Sequence, residues 1–153
     1  MSKVKHAVAV LGLSLAGLVG ISSFEGTSLQ AYRDPVGIVT ICNGHTRTAK
    51  LGQTVTSARC AELLREDSSE AQQAVKRLVR VPVTQEQYDA LVSFTFNVGS
   101  SNLASSTLLR KVNAGDCRGA EREFHRWNRA KGIVLPGLTK RRAAEAAMWS
   151  TGC

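Results

Sequence analysis

Glu25, Asp34 and Thr40 are the residues of this chain whose types and spacing best fit chemistry, in the stretch "SSFEGTSLQAYRDPVGIVTICNGHT" (22–46). Glu25 sits beside Phe24 at the end of an apolar leader, and apolar surroundings would favour its protonated form. Asp34 opens an Asp-Pro turn where water can reach it. One carboxyl that donates a proton and another that activates water are what hydrolysis of a glycosidic bond requires. Thr40, a strand's length beyond Asp34, could hold that water with its hydroxyl. Spacing alone leaves a plainer reading open, a glutamate at a helix end and an aspartate in a turn.

Other chemistries find less support. Serines are plentiful, but no GxSxG elbow exists, and the three histidines, His6, His45 and His125, do not share helical spacing. There is no P-loop and no GxGxxG, and neither a metal nor a cofactor is expected. The formal net charge of +8 on 153 residues favours a polyanionic partner: nucleic acid, anionic lipid or an acidic wall polymer. No zinc-finger spacing or aromatic RNA-binding motif accompanies the charge, so nucleic acid is not the expected partner.

The leader "MSKVKHAVAVLGLSLAGLVGISS" (1–23) carries Lys3 and Lys5 and then no charge until Glu25. Positive charge before an apolar stretch keeps the amino end in the cytoplasm and sends the rest across a membrane. The stretch is short for a span of about 20 residues. It is also diluted by Gly12, Ser14, Gly17 and Gly20. Cleavage after Ser22 would leave Glu25 near a frayed terminus, so we expect the leader (1–23) to be retained and the domain proper to run over 24–153. Leu11, Leu15 and Leu18 fall at helical spacing and predict a helix that packs on a soluble core.

Beyond the leader, "RDPVG" and "NGHT" read as turns around the β-branched run "VGIVTIC" (36–42), with "TAKLGQTVT" as a third strand. Thr56 caps a long helix that ends near Pro82, and Thr84 caps another that ends at Gly99. Helices are also predicted in "STLLRKVNAG", "CRGAEREFHRWNRA" and "TKRRAAEAAMW". The fold class is therefore α+β, a small hairpin lobe and a helical lobe joined by a long helix. Four cysteines beside an export-like leader read as disulfides. Three pairings are possible; Cys42–Cys60 and Cys117–Cys153 are favoured because each ties segments within one half of the chain.

The order Glu25, Asp34, Thr40, "GHT" (44–46) resembles the catalytic signature of phage-type lysozymes, glycoside hydrolase family 24. The likeness continues through "LGQTVTSARCAELLREDS" (51–68), "FNVGSSNLASSTLLRKVNAGD" (96–116) and "RWNRAKGIVLPGLTKRRAAE" (126–145). It implies a two-lobed fold with a cleft and hydrolysis of the β-1,4 bond between N-acetylmuramic acid and N-acetylglucosamine in peptidoglycan, without a cofactor. Glu25 would be the general acid, and Asp34 and Thr40 would position the water, with inversion. The leader resembles that of signal-anchor-release endolysins, tethered to the inner membrane through residues 7–23 and later freed as a soluble periplasmic enzyme. No cysteine precedes Cys42, so a thiol switch inside the leader is excluded and refolding must do the switching.

Phe96, Asn97, Arg141 and Arg142 are candidates for substrate binding. Three have a structural alternative, Phe96 as helix core and the two arginines as a solvated helix start. His45 is expected to pair with an acid across the cleft or to satisfy a turn, and Trp127 and Trp149 to be core. A monomer is expected. Two other functions remain to be separated: a basic wall-binding protein without catalysis, and a lytic transglycosylase using Glu25 alone.

Overall fold

A computed structural model describes residues 4–153; Lys3 of the leader lies outside the described residues. The chain divides into two units, one holding Leu18–Ser69 and the other the described residues through Gly17 together with Glu70–Cys153.

The smaller unit holds the end of α1 (Leu15–Glu25), the strands β1 (Ser28–Arg33) and β2 (Val39–Cys42), and α2 (Ser57–Asp67). The strands pair antiparallel, with Tyr32 opposite Thr40 and Arg33 opposite Val39. Residues 53–55 do not form the expected third strand. They follow β1 through one isolated bridge, Gln30 to Thr54, flanked by bonds from Ala31 N to Gln53 O and Val55 N to Leu29 O. Ile41, Cys42, Cys60 and Leu63 form a core cluster in this unit, with Ala31, Ala49 and Val55 against it. The Cys42–Cys60 disulfide spans 5.1 Å between Cα atoms, so β2 is fixed to α2 as the favoured pairing requires. Thr56 caps α2 by accepting from Arg59 N.

The long helix expected from Thr56 to Pro82 is two helices, α2 and α3 (Ser69–Leu78), with Ser68 between them. Ser68 is fully buried, and its hydroxyl donates to Arg65 O at 2.9 Å. A serine that satisfies a helix carbonyl with its own side chain competes with the ladder. Apolar periodicity runs through the break, which is why it is silent in the sequence.

The larger unit is built around α4 (Gln85–Val98), where Tyr88, Ala90, Leu91, Val92 and Phe94 have no exposed surface. Thr84 and Gln87 form a capping box at its start. Short helices α5 (Ser100–Ser105), α6 (Thr107–Asn113) and α7 (Cys117–Phe124) follow, and α8 (Pro136–Ser150) packs on α4 and α7. Phe94 meets Phe124 and Trp127 edge-on at 5.6 and 5.5 Å. Cys117 and Cys153 are bonded, 5.7 Å apart at Cα. The helix predicted over "CRGAEREFHRWNRA" stops at Phe124. Arg129–Ala130 (β3) instead pairs with Ile133–Val134 (β4), across Lys131 and Gly132, both at positive φ.

The leader is not one helix. His6 exchanges both backbone bonds with Val83, at 2.8 and 3.0 Å. A single 3₁₀ turn covers Val8–Val10, and α1 begins only at Leu15. Val8, Leu11 and Leu13 are buried, whereas Leu15, predicted to face the core, is 69% exposed. Full burial of such a side chain contributes about 1.5–3 kcal/mol. Among the described residues, no helix is long and apolar enough to cross a membrane.

Candidate active site

Glu25 ends α1 and is half-buried. The helix closes behind it: Gly26, at φ 73°, donates its N–H to Ser22 O at 3.0 Å. This left-handed glycine turns the chain out of the helix and into β1.

Asp34 sits where β1 leaves the ladder. Its backbone N–H donates to Ile38 O at 2.9 Å, and its carbonyl accepts from Gly37 N at 2.9 Å. The carboxylate folds over its own turn, Oδ1 accepting from Val36 N at 3.0 Å and Ile38 N at 2.8 Å. Both bonds use Oδ1, which leaves Oδ2 for a further donor.

Thr40 is 5% exposed and donates its hydroxyl proton to Ile38 O at 3.0 Å. With that proton committed, the oxygen faces other groups as an acceptor. Thr40 stands opposite Tyr32, and Asp34, just past the end of β1, bonds Ile38 across the turn, which makes Asp34 and Thr40 diagonal positions. Such diagonal positions are typically about 7–8 Å apart at Cα. The alternation that would carry Cys42 onto the face of Thr40 ends at Cys42 itself, whose φ is 59°.

His45 is 2% exposed and meets an acid of its own unit, Asp67 at the end of α2. Its Nδ1 lies 2.8 Å from Asp67 Oδ2, and its Nε2 lies 2.6 Å from Thr48 Oγ1. Ile41 and His45 exchange both backbone bonds at 2.9 Å. The turn after Thr40 is therefore tied to α2 by a disulfide and by an imidazole.

The substrate-binding candidates belong to the other unit. Phe96 is half-buried and Asn97 exposed near the end of α4. Arg141 and Arg142 are not on a solvated helix start: they are 4% and 0% exposed. Arg142 Nε lies 2.7 Å from Glu145 Oε1, and Arg141 Nε lies 3.3 Å from Glu145 Oε2, which also accepts from Ser93 Oγ at 2.5 Å. The Arg142 guanidinium stacks 5.1 Å from the centre of the Phe94 ring. A buried carboxylate needs such partners, and helical periodicity gave no sign that two adjacent arginines would supply them. The same unit has a pocket of about 430 Å³ that includes Val83, Gln87, Cys117 and Trp149, and no carboxylate side chain is among the described residues that line it. Among the described residues, no cluster of His, Cys, Asp and Glu could hold a metal.

Comparison with known proteins gives this geometry its class. The phage lysozyme family matches residues 22–145, and the chain belongs to that family. It is 41% identical over 143 residues to an endolysin of Acyrthosiphon pisum secondary endosymbiont phage 1, covering 91% of this chain and 98% of that one. It is 38% identical over 140 residues to a SAR-endolysin of Enterobacteria phage PA-2, covering 91% and 85%. Among solved structures it resembles a mutant P22 lysozyme at 37% identity and TM-score 0.85, over 92% of this chain and 99% of that one.

Proposed function

We propose that this protein is a phage endolysin that hydrolyses the β-1,4 bond between N-acetylmuramic acid and N-acetylglucosamine in peptidoglycan, with Glu25 as general acid and Asp34 and Thr40 holding the attacking water. The observation that carries the reading is that Asp34 and Thr40 converge on Ile38, whose carbonyl accepts from both Asp34 N and Thr40 Oγ1. Both bonds of the Asp34 carboxylate within its turn use Oδ1, and the Thr40 hydroxyl gives its proton to Ile38 O; in the proposed mechanism Asp34 Oδ2 and the Thr40 oxygen accept from the water. Glu25 protonates the departing sugar oxygen, water attacks the anomeric carbon from the opposite face of the ring and gives its proton to Asp34, and the anomeric configuration inverts. Proton transfer by a positioned carboxyl typically contributes about 10²–10⁴-fold.

Digestion of purified peptidoglycan in ¹⁸O-water, followed by mass spectrometry, tests it. A hydrolase leaves one labelled reducing end per cut. Unlabelled anhydro ends would instead identify a lytic transglycosylase, and binding without new ends would identify a wall-binding protein.

The second part of the proposal concerns delivery. Residues 1–23 remain on the chain, take it to the periplasmic side while residues 7–23 are in the inner membrane, and keep it inactive there; after release the enzyme works as a soluble monomer. Support comes from relatives that bear the name SAR-endolysin and from the burial of Val8, Leu11 and Leu13. A Leu or Val at the centre of a membrane helix is worth only about 0.3–0.6 kcal/mol. A core that buries the same side chains competes well with that.

A further inference from the structure

We infer that Asn43 is a positioning residue for Glu25, a clamp that fixes the end of α1 to the turn following Thr40. The inference rests on Glu25 being the proton donor. Asn43 is 6% exposed and sits at the tip of the turn closed by Ile41 and His45. Its Nδ2 lies 2.5 Å from Gly26 O, 2.8 Å from Thr27 Oγ1 and 3.1 Å from Ser22 Oγ. Those three acceptors bracket Glu25 on both sides in sequence.

The last carbonyls of a helix have no partner within it and must find one elsewhere. Here a left-handed glycine, Gly26, follows the end of α1, and the Asn43 amide donates to its carbonyl. Ser22, whose own carbonyl accepts the last helical bond from Gly26, is held by the same amide. One side chain thus holds two points around the final turn of α1, and the base of that side chain is rigid. Cys42 beside it is bonded to Cys60, and His45 two residues on is held by Asp67 and Thr48. Thr40 lies three residues before Asn43 in the same strand and turn. The amide therefore sets where the acid stands relative to the threonine on the hairpin.

Why this matters for rate follows from geometry. A misplacement of about 1 Å at a reacting group can cost on the order of 100-fold. Asparagine suits the post because its NH₂ group offers two protons to a nest of acceptors. Aspartate has nearly the same shape and none to offer.

The test measures kcat and KM separately on soluble glycan fragments of peptidoglycan, with melting temperature followed in parallel, for Asn43→Asp and for the milder double variant Ser22→Ala/Thr27→Ala. Asn43→Asp should lower kcat by about 100-fold while KM stays within about twofold. The double variant should lower kcat less, and adding it to Asn43→Asp should cost almost nothing more, since both remove one linkage. Val75→Ala, a core truncation in α3, provides an equally destabilised control and should keep its kcat. Unchanged kcat in the Asn43 variant, a loss no larger than that of Val75→Ala at matched melting temperature, or full additivity with the double variant would each overturn the inference. If Asn43→Asp does not fold, the double variant decides: a drop in kcat at constant KM supports the clamp, and no drop overturns it. Wild-type activity in Glu25→Gln would be a separate failure, of the donor assignment itself.

Discussion

Ser14 and Asp89, 75 residues apart, join the start of α1 to the interior of α4: Ser14 N donates to Asp89 Oδ1 at 3.1 Å, and its hydroxyl donates to Asp89 Oδ2. Ser14 Oγ also accepts from Gly17 N at 3.0 Å, so one serine starts the helix and docks it. Gln85 Nε2 completes the site, 2.9 Å from Asp89 Oδ1 and 2.8 Å from Gly12 O. Removal of the hydroxyl by Ser14→Ala should cost about 2 kcal/mol, from a charge-assisted bond and a helix cap together. Urea unfolding checks it.

Burial pushes the Asp89 carboxyl above the ordinary carboxylate range, against the bonds from Ser14 and Gln85 that pull it down. The folded state therefore holds this proton more tightly than the unfolded chain does. Its stabilising effect is complete in acid and is lost as pH rises through the raised pKa. The stability of Asp89→Asn relative to wild type should accordingly rise with pH from about 4 upward, as wild type alone must ionise the buried group. Unfolding free energies across that range give the slope, and a flat difference would contradict it.

The glycines of the leader separate two effects that a single substitution would mix. A side chain at Gly17 would meet the Asp89 carboxyl at 2.7 Å and Leu13 at 2.8 Å, whereas Gly12 and Gly20 face open space. Replacement of Gly12, Ser14 and Gly17 together by leucine would thus damage the folded enzyme as well as strengthen the membrane segment. Gly12→Leu/Gly20→Leu should keep the protein in the membrane fraction and delay lysis while the folded domain retains its melting temperature within a few degrees. Gly17→Leu should lose stability by about 1–3 kcal/mol from overpacking. Membrane fractionation and lysis timing, compared with melting curves, distinguish the two.

Asp34→Asn retains an oxygen that can accept from Val36 and Ile38, so the turn should survive. Charge on the group facing the water is lost, and kcat should fall by about 10²-fold or more with the melting temperature nearly unchanged. Steady-state rates on soluble glycan fragments check this, and wild-type turnover would mean that another group activates the water.

Features written locally were legible in the sequence. Thr56 and Thr84 cap their helices as predicted, Asp-Pro opens the hairpin turn, and the disulfides join the segments that lay within each half. What escaped depends on distant partners. His6 pairs with Val83, and Leu15 faces out while Val8, Leu11 and Leu13 ahead of it are buried. Arg142 is buried because Glu145 and Phe94 receive it. Asn43 read as a turn residue and nothing more. Only the fold reveals three oxygens of the Ser22–Thr27 stretch within reach of its amide.

The proton donor is the centre of the account, and Glu25→Gln tests it most directly. The amide preserves the shape of the side chain and cannot give up a proton as an acid does. Release of reducing ends from purified peptidoglycan should fall by at least about 10³-fold, with the circular dichroism spectrum and melting temperature of the wild type. Cleavage at an undiminished rate by that variant would remove Glu25 from the chemistry and the proposed mechanism with it.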